Sequence, residues 1–208
     1  KLVAIGGAME EASFEVQAKV HIKDPDKIIN ALDQERIEIV YTRHYREYDT
    51  YFYFENKKEG RLRYREDAFI DPKGEVTNVR GRLTLIGVSR EEAFEHDVML
   101  SRSRYYAPAS HSLRFYREYF DPIREIEIEK DRLRFMIQYK NVDFYINVDT
   151  LTKPDLGHFL EVKSRTWSRE DAELKSKMIA ELIDYLGASS ERAETQDYIE
   201  IVENHLSK

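Results

Sequence analysis

Basic side chains recur at every second position in several segments of this sequence. Successive residues of a β-strand point to opposite faces, so this spacing gathers the basic side chains on one face of each strand. Arginine binds phosphate oxygens through two parallel hydrogen bonds, and such a face is therefore suited to a polyphosphate. The sets are Arg63 and Arg65; Arg80 and Arg82; Arg102 and Arg104; Lys130, Arg132 and Arg134; and Lys163 and Arg165, preceded by Glu161.

The charge balance of the chain makes these sets informative. The 208 residues include 33 basic and 40 acidic ones, which gives a net charge of -7 at pH 7. For one strand alone, a solvated sheet face is the simpler interpretation. Repetition over five strands instead indicates that positive charge is gathered on one surface, which becomes a lumen if the sheet closes. Because buried arginine is costly without a partner, this lumen would need a polyanion or water, and a few carboxylates there would suit Mg²⁺ or Mn²⁺.

Strands must dominate the fold that positions these residues. The segment 14–20 alternates apolar and polar residues, which is the period of a half-buried strand. Asp24-Pro25 and Ser168 are typical helix starts, and Gly187 is typical of a helix end. We predict an α+β fold built on an antiparallel sheet or barrel. The predicted strands lie near 13–20, 37–54, 61–66, 79–87, 95–106, 124–138, 142–149 and 158–166, and the predicted helices begin near 24, 109, 168 and 195.

Length and composition narrow the class of protein. We interpret residues 1–12 as a tail or an added remnant and residues 13–208 as one domain. The sequence has no cysteine, which excludes disulfides and thiolate chemistry, and no apolar run approaches the 18 residues of a membrane-spanning helix. We expect a cytoplasmic location without a membrane partner, because we see no secretory signal. The net negative charge argues against double-stranded nucleic acid as a partner.

Short motifs along the chain occur in a characteristic order. They are Glu15-Val16-Gln17-Ala18-Lys19; Asp49-Thr50-Tyr51-Phe52; Leu62-Arg63-Tyr64-Arg65; Lys130-Asp131-Arg132; Val148-Asp149; Leu156-Gly157-His158-Phe159; and Glu161-Val162-Lys163. Over about residues 13–206, this order resembles the CYTH superfamily of triphosphate tunnel metalloenzymes. That superfamily includes class IV adenylyl cyclases, thiamine triphosphatases and inorganic triphosphatases.

The resemblance implies a closed eight-stranded antiparallel β tunnel flanked by helices. It implies that a triphosphate compound lies in the tunnel, with Mg²⁺ or Mn²⁺ as the cofactor. The implied catalytic residues are Glu15, Lys19, Arg63, Arg65, Lys130 and Arg132, and the implied metal ligands are Glu15, Asp149 and Glu161. The remaining basic residues are candidates for substrate binding: Arg82, Arg102, Arg104, Arg134, Lys163 and Arg165.

The sequence departs from the family pattern at three positions. Gln17 and Lys163 stand where the family has glutamate, and Ile86 stands where it tends to have lysine. Two carboxylates of the metal type are therefore missing. One Mg²⁺ needs only one or two protein carboxylates plus substrate oxygens, so the remaining three can hold one metal, whereas a two-metal arrangement loses its ligands.

Three functions follow as hypotheses. The first is metal-dependent hydrolysis of a triphosphate compound, either inorganic triphosphate or a nucleoside triphosphate. The second is a class IV-type adenylyl cyclase that makes cyclic AMP from ATP. The third is a catalytically weak module that binds polyphosphate or nucleotide, because Gln17 and Lys163 favour a polyanion over a metal. Tyr51, Tyr53 and Tyr145 are candidate contacts to a nucleoside, and the oligomeric state is left open, with a homodimer among the options.

Overall fold

The computed structural model describes residues 14–33, 37–55, 61–86, 90–94, 97–102 and 105–207. Within them the chain forms four helices and one antiparallel sheet of eleven strands, which confirms the predicted α+β class. The strands are β1 (Phe14–Ile22), β2 (Glu38–Tyr53), β3 (Arg61–Ile70), β4 (Val76–Ile86), β5 (Arg90–Ala93), β6 (Met99–Arg102), β7 (Tyr105–Pro108), β8 (Arg124–Tyr139), β9 (Val142–Lys153), β10 (Asp155–Thr166) and β11 (Arg192–Ala193). The helices are α1 (Pro25–Leu32), α2 (Leu113–Phe120), α3 (Arg169–Tyr185) and α4 (Tyr198–Leu206).

Two strands that follow one another in the chain, β6 and β7, lie near opposite ends of the sheet. The order is β5-β6-β1-β10-β9-β8-β2-β3-β4-β7, and β11 pairs with β1. Near one end β6 pairs with β1, and at the other end β7 pairs with β4. In the chain, however, β6 and β7 are separated only by positions 103 and 104. The two ends of the sheet are therefore tied together by a very short piece of chain.

One face of the sheet carries the main apolar core. Alternate residues of β1, such as Val16, Ala18 and Val20, pack with α1 and α3 through residues such as Leu32 and Ile179. The intervening residues of the same strand point to the opposite face, because the side-chain period of a strand is two. Helices α1 and α3 thus cover the apolar face and leave the charged positions of β1 on the other face.

Local sequence signals set the ends of the helices. The side chain of Asp24 accepts hydrogen bonds from the backbone N–H groups at positions 26 and 27, and Ser168 accepts one from position 171, so both predicted N-caps are confirmed. Gly187 follows α3 with a φ of 71°, a conformation that favours glycine. The prediction for α2 was wrong by four residues. This helix begins at 113 and not at 109, because Pro108 still belongs to β7 and Ser112 is the N-cap.

The described residues contain more strands than the eight predicted. The predicted strand at 95–106 corresponds to two strands, β6 and β7, which pair with different partners. The short strands β5 and β11 carry too few residues to show a period of two in the sequence. None of the described helices has the length and the apolar composition that crossing a membrane requires.

Candidate functional site

A cavity of about 400 Å³ lies among the charged side chains of the sheet. Its lining comes from β1, β2, β3, β4, β6, β8, β9 and β10, and from the start of α4. Among the described residues, eleven lining side chains are basic and three are acidic. The basic ones are Lys19, Arg43, Arg63, Arg65, Arg80, Arg82, Lys130, Arg132, Arg134, Lys163 and Arg165, and the acidic ones are Glu15, Glu161 and Asp197.

The structure brings most of the sequence-predicted site residues to this cavity. Asp149 does not line it; this residue is fully buried behind Arg132. Arg104 and the side chain of Arg102 lie outside the described residues. The predicted residues that line the cavity are Glu15, Lys19, Arg63, Arg65, Arg82, Lys130, Arg132, Arg134, Glu161, Lys163 and Arg165.

Two buried carboxylates on β2 belong to the site, although sequence reasoning did not select them as site residues. Glu47 and Asp49 are each only 2% exposed. They follow Tyr45 and precede Tyr51 with the same two-residue spacing as the arginines. That shared period was the available signal, because it places an acidic pair on the face that the basic sets occupy.

Glu47 and Asp49 are held between cations from both neighbouring strands. Arg65 on β3 lies opposite Asp49 and donates to both of its oxygens, from Nε to Oδ1 at 2.5 Å and from Nη2 to Oδ2 at 2.6 Å. Its Nη1 lies 2.9 Å from Oε2 of Glu47. Lys130 on β8 lies opposite Glu47, with its Nζ 2.8 Å from the same oxygen. The register of three strands thus builds a buried network of alternating charge.

This network shifts the pKa values of its members. Burial alone would raise the pKa of Glu47 and of Asp49, but the nearby cations, led by Arg132 for Glu47 and by Arg65 for Asp49, hold both pKa values below the usual range. Both carboxylates therefore stay ionised at neutral pH. Burial and the repulsion of Arg65 lower the pKa of Lys130 to about 8. The Lys130 ammonium is consequently the cation of this network that titrates near neutral pH.

Arg132 is the centre of a second network. Its Nε and Nη2 donate to the two oxygens of Asp149 at 2.6 and 2.5 Å, and the hydroxyl of Tyr198 donates to Oδ2 of Asp149 at 2.6 Å. The same guanidinium lies 3.4 Å from an oxygen of Glu47 and 3.4 Å from one of Glu161. Both oxygens of Asp149 are thus bound by donors, and the contact from Tyr198 fastens α4 to the sheet.

Lys163 lies between the two glutamates that line the cavity wall. Its Nζ is 3.8 Å from Oε2 of Glu15 and 3.9 Å from Oε2 of Glu161. Asn147 also donates a hydrogen bond to Oε2 of Glu161 at 2.7 Å. Burial opposes ionisation of Glu161, but the charges of Lys163 and then Arg132 hold its pKa well below the usual range. Glu161 is therefore a carboxylate that already has cationic and amide partners.

Helix α4 covers one end of the cavity. Tyr198 and Ile199 at its start line the cavity and pack in an apolar cluster with Tyr51, Ile86 and Ile126. The cluster fills the space between the helix and strands β2, β4 and β8. Apolar side chains therefore line this end of the cavity, beside Asp197.

The opposite end of the cavity is reached from solvent. Arg43 and Arg165 are exposed there, and Tyr41 and Tyr145 are half-buried beside them. The guanidinium of Arg43 lies 4.5 Å from the ring centre of Tyr41, and that of Arg134 lies 5.8 Å from the ring centre of Tyr145. This end, which we term the tyrosine mouth, combines aromatic faces with positive charge.

The predicted metal ligands do not fit a resident divalent cation. Asp149 is occupied by Arg132 and Tyr198 and is shielded from the cavity, while Lys163 lies between Glu15 and Glu161. In the part of the chain that the structure describes, no group of three or more metal-ligating side chains converges. The carboxylates of the site are instead counter-ions of the basic side chains.

Comparison with known proteins places the fold among solved structures. No protein-family model matches the sequence, and the comparison with curated proteins gives no match. A protein of Pyrococcus horikoshii OT3 shares the fold with a TM-score of 0.67 and 19% identity, over 92% of this chain and 99% of that one. The resemblance that the sequence predicts is confirmed at the level of the fold.

Two further structures with this fold have names that refer to nucleotide or triphosphate chemistry. A Vibrio parahaemolyticus protein proposed to be an adenylate cyclase matches with a TM-score of 0.61 and 18% identity, over 91% of this chain and 98% of that one. A Hippeastrum protein proposed to be an adenylyl cyclase, in which triphosphatase activity is dominant, matches with a TM-score of 0.57 and 10% identity, over 93% and 96%. At these identities the likeness concerns the fold, and the function must be argued from the cavity.

Proposed function

We propose that this protein binds the triphosphate part of a small molecule in its cavity and hydrolyses the terminal phosphoanhydride bond. The observation that carries the proposal is the convergence of eleven basic side chains on one cavity, in a chain whose net charge is -7. Guanidinium and ammonium groups are the side chains that bind phosphate oxygens best, and such a concentration of them is suited to a polyanion. The volume of about 400 Å³ is in the range of small-molecule sites.

The topology supports an enclosed cavity. Arg102 ends β6 and Tyr105 begins β7, so three Cα–Cα steps, at most about 11 Å, separate the partner strand of β1 from the partner strand of β4. This short connection between β6 and β7 favours a curled sheet. We infer that β6 and β7 act together as one strand that closes the row β1-β10-β9-β8-β2-β3-β4 into a tunnel. Counted in this way the tunnel has eight strands, the number that the resemblance implies. The charged face then points inward.

The chemistry follows from the charges around the phosphate chain. Arg63, Arg65 and Arg132, with Lys19 and Lys130, neutralise the phosphate oxygens and the charge that develops on the leaving group. Water attacks the terminal phosphorus; a P–O bond to the water oxygen forms, and the bond to the bridging oxygen breaks. The proton that the water loses passes to solvent or to the released phosphate.

The cavity carboxylates have the role of orienting this water. Glu15 and Glu161 line the cavity, whereas Asp149 does not. The resemblance assigns all three to Mg²⁺ or Mn²⁺, but in the structure each lies beside a basic side chain, and Glu161 and Asp149 also accept hydrogen bonds from Asn147 and Tyr198.

The tyrosine mouth favours a substrate with a nucleoside as a second candidate. A base can stack on the half-buried rings of Tyr41 and Tyr145 while its phosphates extend toward Arg132. This arrangement suits a nucleoside triphosphate hydrolase, and it also suits the cyclase hypothesis, in which ATP yields cyclic AMP. The products distinguish the two reactions.

Product analysis tests the proposal. The purified protein is incubated with inorganic triphosphate, thiamine triphosphate or ATP, in Mg²⁺, in Mn²⁺ and in a chelator, and phosphate and cyclic AMP are measured. We expect phosphate release, with at least a ten-fold loss in the variants Arg65→Met and Arg132→Met. Lys177→Met, which removes an exposed lysine of α3, is the control and should retain activity. Formation of cyclic AMP without phosphate release would show that the protein is a cyclase and not a hydrolase. A rise in Tm on addition of triphosphate, without any product, would show that the protein binds triphosphate but does not hydrolyse it.

A further inference from the structure

The cavity-facing residues of β1 and β10 form a ladder of alternating charge. These two strands are antiparallel neighbours, and side chains on the same face interact both directly across the pair and diagonally. The direct pairs on the cavity side are Glu15 with Arg165, Gln17 with Lys163, and Lys19 with Glu161.

Lys163 lies diagonally across the strand pair from Glu15 and two residues after Glu161 on its own strand, β10. Its Nζ is almost equidistant from them, at 3.8 Å from Glu15 and 3.9 Å from Glu161. Its direct partner, Gln17, is uncharged. A cation that bridged Glu15 and Glu161 would have to lie in the space that this ammonium takes.

The same position is unfavourable for a divalent ion. Mg²⁺ requires oxygen ligands at 2.0–2.1 Å in octahedral geometry, and lysine offers none. A dication placed between the two glutamates would also lie beside the Lys163 ammonium and be repelled by it. The remaining acidic side chain of the expected set, Asp149, is already bound by Arg132 and Tyr198.

We propose that the Lys163 ammonium takes the place of a divalent cation in this cavity, so that the protein binds a triphosphate chain without a metal. The inference rests on the proposed function, because it concerns how the same cavity holds its ligand. In this arrangement Lys163 neutralises Glu15 and Glu161 and presents its charge to a phosphate oxygen. Metal that accompanies the triphosphate in solution is then optional for binding.

Calorimetric titration with inorganic triphosphate tests this inference in the unmodified protein. The titration is run in EDTA and again in excess Mg²⁺. We expect dissociation constants that agree within about three-fold. Binding that requires Mg²⁺, with none in EDTA, would overturn the inference and leave the proposed function intact. Binding in neither condition would overturn the proposed function itself.

The variant Lys163→Glu gives a second test in which metal dependence is created. We expect it to lose at least a hundred-fold in triphosphate affinity in EDTA and to recover most of that affinity in Mg²⁺. Titration with Mn²⁺ alone, followed by electron paramagnetic resonance, should show a bound ion in this variant and none in the unmodified protein. Lys177→Glu makes the same charge change on the exposed face of α3 and should behave like the unmodified protein. A tightly bound Mn²⁺ in the unmodified protein would contradict the inference.

Discussion

The partnership between Arg132 and Asp149 allows structural and ligand-binding roles to be separated. Arg132 is 3% exposed and Asp149 is fully buried, and the two share hydrogen bonds of 2.6 and 2.5 Å. Only Arg132 faces the cavity. We therefore compare Arg132→Met with the double variant that adds Asp149→Asn. The second change removes a charge without changing the size or shape of the side chain.

The expected magnitudes follow from the contacts. Arg132→Met leaves Asp149 buried without its cationic partner, with the Tyr198 hydroxyl as its remaining strong partner, and removal of one member of a buried ion pair costs about 3–5 kcal/mol. In the double variant the uncompensated charge is gone, and Tyr198 still donates to the amide oxygen. We expect that variant to recover at least about 2 kcal/mol of the loss, as a thermodynamic coupling between the two sites.

Ligand affinity should respond differently. Both variants lack the Arg132 guanidinium, and a hydrogen bond to a charged group contributes about 1.5–3 kcal/mol. Both should therefore bind inorganic triphosphate about ten- to a hundred-fold more weakly, by the same factor. Asp149→Asn alone completes the cycle.

Urea unfolding followed by circular dichroism measures the stabilities, and calorimetric titration measures the affinities. We expect the double variant to recover stability relative to Arg132→Met but not to recover triphosphate affinity. If the double variant were as unstable as Arg132→Met, the buried charge of Asp149 would not be the reason for the loss. If the double variant recovered affinity, Arg132 would act only by holding the fold together and not by contacting phosphate.

Three further measurements test other parts of the structure. Triphosphate affinity should fall about ten-fold between pH 7 and pH 9.5, because Lys130, with a pKa of about 8, is charged below that pKa and neutral above it. In the variant Lys130→Arg the affinity should stay constant over this pH range. A parallel fall in that variant would mean that another group titrates. Tyr198→Phe should reduce the free energy of unfolding by about 2 kcal/mol, because it removes one buried hydrogen bond to Asp149. The triphosphate affinity should change by less than two-fold, because the ring is kept. Urea unfolding measures the stability, and an unchanged stability would mean that the hydroxyl does not fasten α4. Gly81→Ala should lower the free energy of unfolding in urea by about 1–3 kcal/mol, because the added Cβ would lie 2.9 Å from the carbonyl oxygen of Ala109. A variant as stable as the unmodified protein would show that the segment around Ala109 moves freely away from β4.

The sequence alone predicted the main strands and most of the charged side chains that line the cavity. A period of two is a local property, so β1, β2 and β8 were predicted to within a few residues. The same period identified Arg63 and Arg65 as residues of one face. Helix starts were equally local, since a cap such as Ser168 acts on residues three positions away.

Pairing across the sheet was not available from the sequence. Glu47 and Asp49 are the counter-ions of Arg65 and Lys130 because three strands align in one register, and register depends on contacts far apart in the chain. The resemblance implies that Asp149 is a metal ligand, but only the structure shows that Arg132 and Tyr198 occupy its oxygens. The division of 95–106 between two partner strands also depends on such distant contacts.

The charge balance of the cavity connects its folding with its ligand. Behind the three acidic residues of the lining, four buried ones also face the basic side chains: Glu47, Asp49, Asp67 and Asp149. Against eleven cations, seven carboxylates leave an excess of four positive charges among the described residues. The paired carboxylates offset the free-energy cost of burying the arginines, and a bound polyanion offsets the excess positive charge. A glutamate at position 163 would reduce that excess to two, and one divalent cation would restore it to four. In electrostatic terms Lys163 is thus equivalent to a carboxylate with its bound dication, which is why a cavity that lacks two of the expected carboxylates keeps the charge that a triphosphate needs.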